Sequence, residues 1–101
     1  MKALIEQIHA KGTKSVSFPL RVYSLHYNGP QPRIPISVPK KLFKRAVKRN
    51  LIRRRIREAF RQLTKEHPEW RKDKAFLIVY ISKDISDYET IKSALEAVLE
   101  K

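Results

Sequence analysis

A run of 22 residues, 40–61, constrains this chain more than any other feature. It reads KKLFKRAVKRNLIRRRIREAFR and contains 11 of the 23 lysines and arginines but only one acid, Glu58. Eleven cations less one acid give this basic segment +10 of the formal net charge of +13. Like charges at this density repel one another in water, so a polyanion that neutralises them is the most economical explanation. Nucleic acid is the first candidate.

The same segment has the apolar periodicity of a helix, which argues against disorder. The pattern predicts a long helix that begins around residues 45–48 and ends at His67-Pro68, because a proline disfavours helical geometry at the residue before it. One stripe of this helix faces a core: Ile52, Ile56, Ala59, Phe60 and Leu63. A second stripe lies roughly 130° away, at about 100° per residue: Asn50, Arg53, Arg54, Arg57 and Arg61.

Arg49 is the exception to this division. It projects into the apolar stripe, between the directions of Ile56 and Phe60. A guanidinium is costly there unless it emerges at the start of the helix, so the position indicates a specific role rather than general solubility.

The other elements follow from shorter patterns. Residues 2–10 form a helix that stops at Gly12. SVSFPLRVYSLHY (15–27) alternates as one strand, bulged or broken at Pro19, and RIPISV (33–38) as a second, with a turn at 28–32 between them and antiparallel pairing. AFLIVYI (75–81) predicts a strand covered on both faces. Ser86 and Glu89 predict a capping box for a last helix. The apolar stripe of that helix comprises Ile91, Ala94, Leu95, Val98 and Leu99.

The predicted fold is therefore α+β, one domain over residues 1–101. Along the chain the elements follow the order helix, strand, strand, helix, strand, helix. The strands form one small mixed sheet, and the basic helix crosses between two of them. The chain has no cysteine, which excludes disulfides and suits a reducing compartment. No apolar run approaches the roughly 20 residues that span a bilayer, and the first residues lack a signal-peptide core. We expect a soluble, cytoplasmic protein.

The basic stripe suits phosphates. Residues three or four apart on a helix lie about 5 to 6 Å apart, close to the spacing of successive phosphates. Arginine forks grip phosphate oxygens in pairs, which favours a nucleic-acid backbone over a diffuse membrane charge. The charge alone does not choose RNA over DNA. A solvated helical face, or a helix that binds a membrane or a calmodulin-like partner, is the competing interpretation, although the apolar face is needed for the core.

Catalysis by the protein itself has little support in the sequence. A nuclease needs clustered carboxylates for metals or a histidine pair for acid and base chemistry. The acids lie mainly in the last third, and Glu58 is expected to pair with Arg54, Arg55 or Arg61. His9, His26 and His67 show no ligand spacing, and two glycines cannot form a phosphate loop. We expect no catalytic or metal-binding residue and no RNA cleavage by the protein alone.

An ordered motif of about 25 residues resembles a known family. Its parts are Ser37-Val38-Pro39-Lys40-Lys41, then 44–50 (KRAVKRN), then Arg53-Arg54 and 57–61 (REAFR). Together they resemble the signature of the bacterial ribonuclease P protein subunit, and weaker similarity covers nearly the whole chain. The resemblance implies that the basic helix forms an unusual left-handed crossover.

The resemblance also implies a function. Proteins of this family pair with a catalytic RNA that removes the 5′ leader of precursor tRNA, and that RNA binds the Mg²⁺ that the reaction uses. No intrinsic cofactor, membrane or further protein partner is expected. The RNA-facing residues carried over from the motif are Lys40, Lys41, Arg45, Lys48, Arg49, Asn50, Arg53, Arg54, Arg57 and Arg61. The candidates for a leader cleft between the first helix and the sheet are Ile5, His9, Phe18, Val22, Ile34 and Ile36.

Family members commonly carry aromatic residues where this chain has Ile5 and His9. The main alternative function is a structural RNA-binding protein such as a ribosomal component, for which the same helix would serve. A DNA-binding helix and an autonomous nuclease are further alternatives.

Overall fold

A computed structural model describes residues 2–28 and 34–100, with the side chains given from Glu6 onward. Three α-helices, four strands and one short 3₁₀ helix make up these ranges. In chain order they are α1 (Lys2–Lys11), β1 (Thr13–Ser17), β2 (Leu20–His26), β3 (Ile36–Ser37), α2 (Ala46–Glu66), the 3₁₀ helix Pro68–Trp70, β4 (Lys74–Tyr80) and α3 (Tyr88–Leu99). The predicted α+β class is confirmed, with one strand more than expected.

The extra strand comes from the segment predicted as one strand over 15–27. That segment turns at Phe18-Pro19, whose peptide bond is cis, and β1 pairs with β2 as an antiparallel hairpin. Proline has no N–H to donate to a strand ladder, so the chain turns there instead of continuing straight. The expected break at Pro19 thus separates two strands.

The predicted antiparallel pairing of the segments at 15–27 and 33–38 is wrong. The strand order is β1-β2-β4-β3, so β4 lies between β2 and β3. β2 pairs antiparallel with β4, whereas β3 pairs parallel with β4 through Ile36↔Ile78 and Ser37↔Val79. The strand with the longest apolar run takes a central position, where both of its edges and both of its faces are covered. The turn predicted at 28–32 includes residues outside the described ranges.

Alternation along the strands gives the sheet two different faces. Leu20 and Val22 of β2 join the main core with α2 and α3, while Tyr23 joins Ile8 of α1 in a smaller cluster on the other face. β4 contributes to both clusters, which confirms the prediction that this strand is covered on both faces.

α2 begins at Ala46 and ends at Glu66, as predicted. All five residues of its predicted core stripe are buried. Phe60 is 4% exposed, and its ring meets that of Phe76 edge-on, with 5.6 Å between the centroids. Because β3 and β4 are parallel neighbours, α2 is the crossover between them. The left hand of that crossover stays a prediction from the family resemblance.

The ends of the other two helices are set by local contacts. Gly12 N donates to the Ile8 carbonyl over 2.8 Å, and a Cβ at residue 12 would lie 2.3 Å from that same oxygen. The first turn of α3 is capped by Asp87, whose Oδ1 accepts from Thr90 N at 2.8 Å, so the capping box predicted from Ser86 is wrong. The Ser86 hydroxyl instead lies 2.9 Å from the hydroxyl of Tyr80.

The capping contact stabilises the charged form of the Asp87 side chain. Hydrogen bonds from Thr90 stabilise the carboxylate of Asp87 and lower its pKa.

The predicted apolar stripe of α3 packs into the main core, with Val98 partly buried at its margin. Within the described ranges, no helix combines the length and the apolar character needed to cross a bilayer.

We expect Phe60→Ala to lower the free energy of unfolding by about 3 to 5 kcal/mol, because it removes a buried ring from the centre of the core. Urea denaturation followed by circular dichroism measures the change. Lys65→Ala, on the exposed side of the same helix, is the control and should change stability by less than about 0.5 kcal/mol. Equal stabilities for the two variants would show that the α2 stripe does not carry the core.

Candidate nucleic-acid interface

Because the apolar stripe of α2 is buried against the sheet and α3, its basic side chains lie on the surface. We call this surface, with the turn that leads into α2, the cationic face. Eight of the ten predicted RNA-facing residues are exposed and two are half-buried. The exposed ones are Lys40, Lys41, Arg45, Lys48, Asn50, Arg54, Arg57 and Arg61; the half-buried ones are Arg49 and Arg53. The structure therefore places these ten side chains along one helix and its entry.

Little on this face neutralises the charge. Glu58 pairs with Arg61 at 2.6 Å, and the two side chains are 50% and 74% exposed. An exposed pair of this kind contributes about 0 to 1 kcal/mol, so Arg61 can exchange the carboxylate for a phosphate at little cost. The expected intrahelical pairing of Glu58 is confirmed for Arg61. Arg53 Nη1 donates to Asn50 Oδ1 at 3.2 Å, which orients these two side chains relative to each other.

Arg49 holds the entry to α2. Its Nη1 donates to the carbonyl oxygens of Phe43 at 2.8 Å and Lys44 at 2.9 Å. The guanidinium thus leaves the apolar stripe at the helix start, as its cost in the core requires. By tying the preceding turn to the first turn of α2, Arg49 fixes where Lys44 and Arg45 lie.

Arg55 is a structural arginine within the basic segment. It is half-buried, and its Nη1 donates to the Ser86 carbonyl at 2.6 Å. The bond joins α2 to the loop that leads into α3. Arg55 lies one residue before Ile56 and three after Ile52, which places it at the margin of the core stripe. Arg54 lies on the opposite side of the helix and is exposed.

A lysine from another element extends the cationic face, and helical periodicity did not predict it. Lys83, in the loop between β4 and α3, lines one cavity with Lys44, Arg45 and Lys48 at the start of α2. Asp84 and Ile85 lie on the same cavity wall. The loop and the helix are far apart in sequence, so helical periodicity could not bring them together.

The six leader-cleft candidates do not form one surface. Val22, Ile34 and Ile36 belong to or pack against the main core, on the sheet face opposite α1, so the structure contradicts their placement between α1 and the sheet. The reason is the alternation of the strands, which sends the apolar members of β2 and β3 toward α2. Phe18 is 70% exposed but lies at the β1-β2 turn beside Thr90 and Ser93 of α3.

His9 does lie on the α1 side. Its ring centroid is 4.9 Å from that of Tyr23, with the rings tilted by 37°. The side chain of Ile5 falls outside the description, so its predicted role is untested.

Another set of residues lines the sheet beside α1. The strand register places Val16, Arg21, Val79 and Ser37 in one row across all four strands, on the same face as Tyr23. We call this set the open row. Val16 is 55% exposed, Ser37 is exposed, and Arg21 and Val79 are half-buried. The sequence signal was available: these residues alternate with the apolar positions that were chosen instead.

Within the described ranges, the Nε of Arg21 is buried without a hydrogen-bond partner. The side chain as a whole is half-buried, so a cationic group lies within this partly open row.

Fold and surface together define a small α+β protein with one strongly basic helix exposed on its surface. The family model for ribonuclease P matches residues 1–101, and the chain belongs to this family. It is a ribonuclease P protein subunit, an accessory component of the holoenzyme.

Individual relatives agree with this assignment. The ribonuclease P protein component of Porphyromonas gingivalis strain W83 is 32% identical over 104 residues, which cover 94% of this chain and 74% of the relative. That of Pseudoalteromonas atlantica is 41% identical over 56 residues, or 55% of this chain and 47% of the relative.

Solved structures agree as well. The RNase P protein of Staphylococcus aureus superposes with a TM-score of 0.73 at 30% identity, covering 99% of this chain and 89% of that one. The protein of Thermotoga maritima, at 21% identity, shares the fold with a TM-score of 0.83 over 99% of this chain and 94% of that one.

Two adjacent arginines allow a matched test of the interface. Arg54→Ala should reduce the steepness of log K against log salt for RNA by about one unit, because it removes one phosphate contact, and should leave the melting temperature unchanged. Arg55→Ala should lower the melting temperature, because it breaks the bond to the Ser86 carbonyl, and should leave the salt slope unchanged. Filter binding at several salt concentrations and thermal denaturation measure the two quantities. A slope that changes only in Arg55→Ala would contradict this assignment.

Proposed function

We propose that the cationic face of α2 binds the catalytic RNA of ribonuclease P, and that the protein thereby assists removal of the 5′ leader from precursor tRNA. The observation that carries this proposal is the exposure of nearly all the motif's basic side chains while the opposite stripe of the same helix is buried. The apolar side of α2 is used by the protein's own core, so its polar side is left for a partner.

The strength of this contact is set by charge. If about five side chains of the cationic face neutralise phosphates, log K falls with log salt at a slope of roughly −3 to −5. Arginine is suited to the task because its planar fork stays charged and contacts two phosphate oxygens at once.

In this proposal the RNA, not the protein, catalyses the hydrolysis. The RNA binds the Mg²⁺ used in hydrolysis, and the protein supplies neither a catalytic group nor a cofactor. The acid of the basic segment, Glu58, is paired with Arg61. Assembly with RNA needs no membrane and no other protein, and we place it in the cytoplasm, where precursor tRNA is made.

The open row is our proposed contact for the leader. It lies beside α1, with the tilted rings of His9 and Tyr23 at its margin and the half-buried side chain of Arg21 within it. An unpaired strand needs cationic groups for its phosphates and flat or apolar surface for its bases, and this row offers both. Ile5 remains a predicted neighbour of the same surface, whereas Phe18 lies at the turn beside α3.

Reconstitution with a bacterial ribonuclease P RNA tests the function directly. At low Mg²⁺ the protein should raise the rate of precursor-tRNA cleavage, whereas the protein alone should cleave nothing, because the active centre is in the RNA. Cleavage rates are read from end-labelled precursor on gels. A protein that binds structured RNA without raising this rate would favour a ribosomal component.

Arg21→Gln tests the leader contact. We expect it to reduce the holoenzyme's preference for precursor over mature tRNA by about tenfold, since losing a hydrogen bond to a charged group costs about 1.5 kcal/mol or more. Binding of the two tRNAs to the assembled holoenzyme measures the preference. Lys72→Gln, an equal loss of charge at an exposed turn, is the control. A preference unchanged in Arg21→Gln would remove the open row from the leader path.

A further inference from the structure

A groove at one margin of the cationic face has an apolar floor, which contacts to phosphates alone do not account for. It lies between β3, at the edge of the sheet, and the second half of α2, and encloses about 260 Å³. This volume is just below the roughly 300 to 1,000 Å³ of sites for drug-sized ligands. The groove therefore suits one small group, about the size of a ring system, rather than a large ligand.

The floor of the groove is apolar. Ile34 and Ile36 line it, and both are half-buried, packed on the main core without being covered by it. Phe60 lies beneath them and joins the floor to the core. Apolar side chains left at an edge in this way provide a surface on which a flat group gains contact area.

The rim is cationic. Arg57 and Arg61 stand on the α2 side of the groove and Arg71 on the side of the turn before β4. The guanidinium carbon of Arg71 lies over the Phe60 ring, 5.6 Å from its centre, within the range of a cation–π contact. Among the described residues, none that lines the groove is an acid.

An apolar floor within a rim of three arginines matches one kind of ligand best. A nucleotide combines a flat base with a phosphate a few ångströms away, and guanidinium groups both stack on bases and fork onto phosphates. A phospholipid headgroup would bring the phosphate without the flat ring. The groove is also continuous with the cationic face, because Arg57 and Arg61 belong to both.

We propose that this groove holds one unpaired nucleotide of the catalytic RNA, with its base on Ile34 and Ile36 and its phosphate on the rim arginines. The inference rests on the proposed function, because it takes the RNA on the cationic face as given. It adds a place where the protein recognises an extruded base beside the backbone contacts. Unpaired bases are the part of RNA that proteins can stack on and read.

A charge-matched pair of variants tests the groove. Ile34→Glu puts a carboxylate on the floor, where it repels the phosphate, and Ser93→Glu makes the same charge change on the exposed side of α3. We expect Ile34→Glu to weaken binding of ribonuclease P RNA about tenfold and Ser93→Glu less than twofold, where tenfold corresponds to about 1.4 kcal/mol. Equal affinities for the two variants, both folded by circular dichroism, overturn the inference.

A second measurement does not depend on Ile34→Glu folding. Since the chain has no cysteine, Ile34→Cys and Ser93→Cys can each carry one azidophenacyl group into the holoenzyme. We expect the group at residue 34 to crosslink to an unpaired nucleotide of the catalytic RNA and the group at residue 93 to crosslink to none. Crosslinks from residue 34 to precursor tRNA, to paired RNA or to nothing overturn the inference.

The two hypotheses fail in different ways. If the unmodified protein does not bind the catalytic RNA, the proposed function fails. If it binds and raises cleavage while the groove variants behave like their controls, only the groove is wrong.

Discussion

The structure depends on how the apolar stripe of α2 packs against the sheet and α3. Five side chains of that stripe are buried, with Phe60 set edge-on against Phe76 of β4. This contact fixes the rotation of the helix about its axis, and the rotation decides which basic residues reach water. Burial of hydrocarbon on one side thus organises charge on the other, and no direct contact between the basic side chains is needed.

The arginines of the basic segment have two different roles. Arg49 donates hydrogen bonds to carbonyl oxygens of the turn before α2. Arg55 donates one to a carbonyl oxygen of the loop before α3. They hold the helix in its frame, while Arg54 and Arg57 remain exposed. The frame matters for assembly because phosphates along an RNA backbone are met only if successive side chains keep their spacing.

The sequence predicted what depends on local periodicity and missed what depends on pairing between distant segments. The limits and core stripe of α2 follow from its 3.6-residue period, and the two covered faces of β4 follow from its unbroken apolar run. The partner of β3 could not be found in this way, because parallel pairing through a crossover leaves no local mark. The same gap misplaced Val22, Ile34 and Ile36, since periodicity shows that they share a face but not which helix covers it. The place of Lys83 beside the start of α2 could not be predicted either, because the loop and the helix are distant in sequence.

The start of α2 couples folding to assembly. Its N-cap residue, Arg45, makes no side-chain capping bond, and its first turn contains no acid, so positive side chains crowd the positive end of the helix dipole. The isolated protein therefore folds against its own electrostatic field. A polyanion relieves this repulsion at the helix end, which exists only once α2 has formed, and by linkage it stabilises the folded form if it binds that form more tightly than the unfolded chain. The ribozyme is in this sense also a folding ligand for its subunit, and added salt should partly substitute for it.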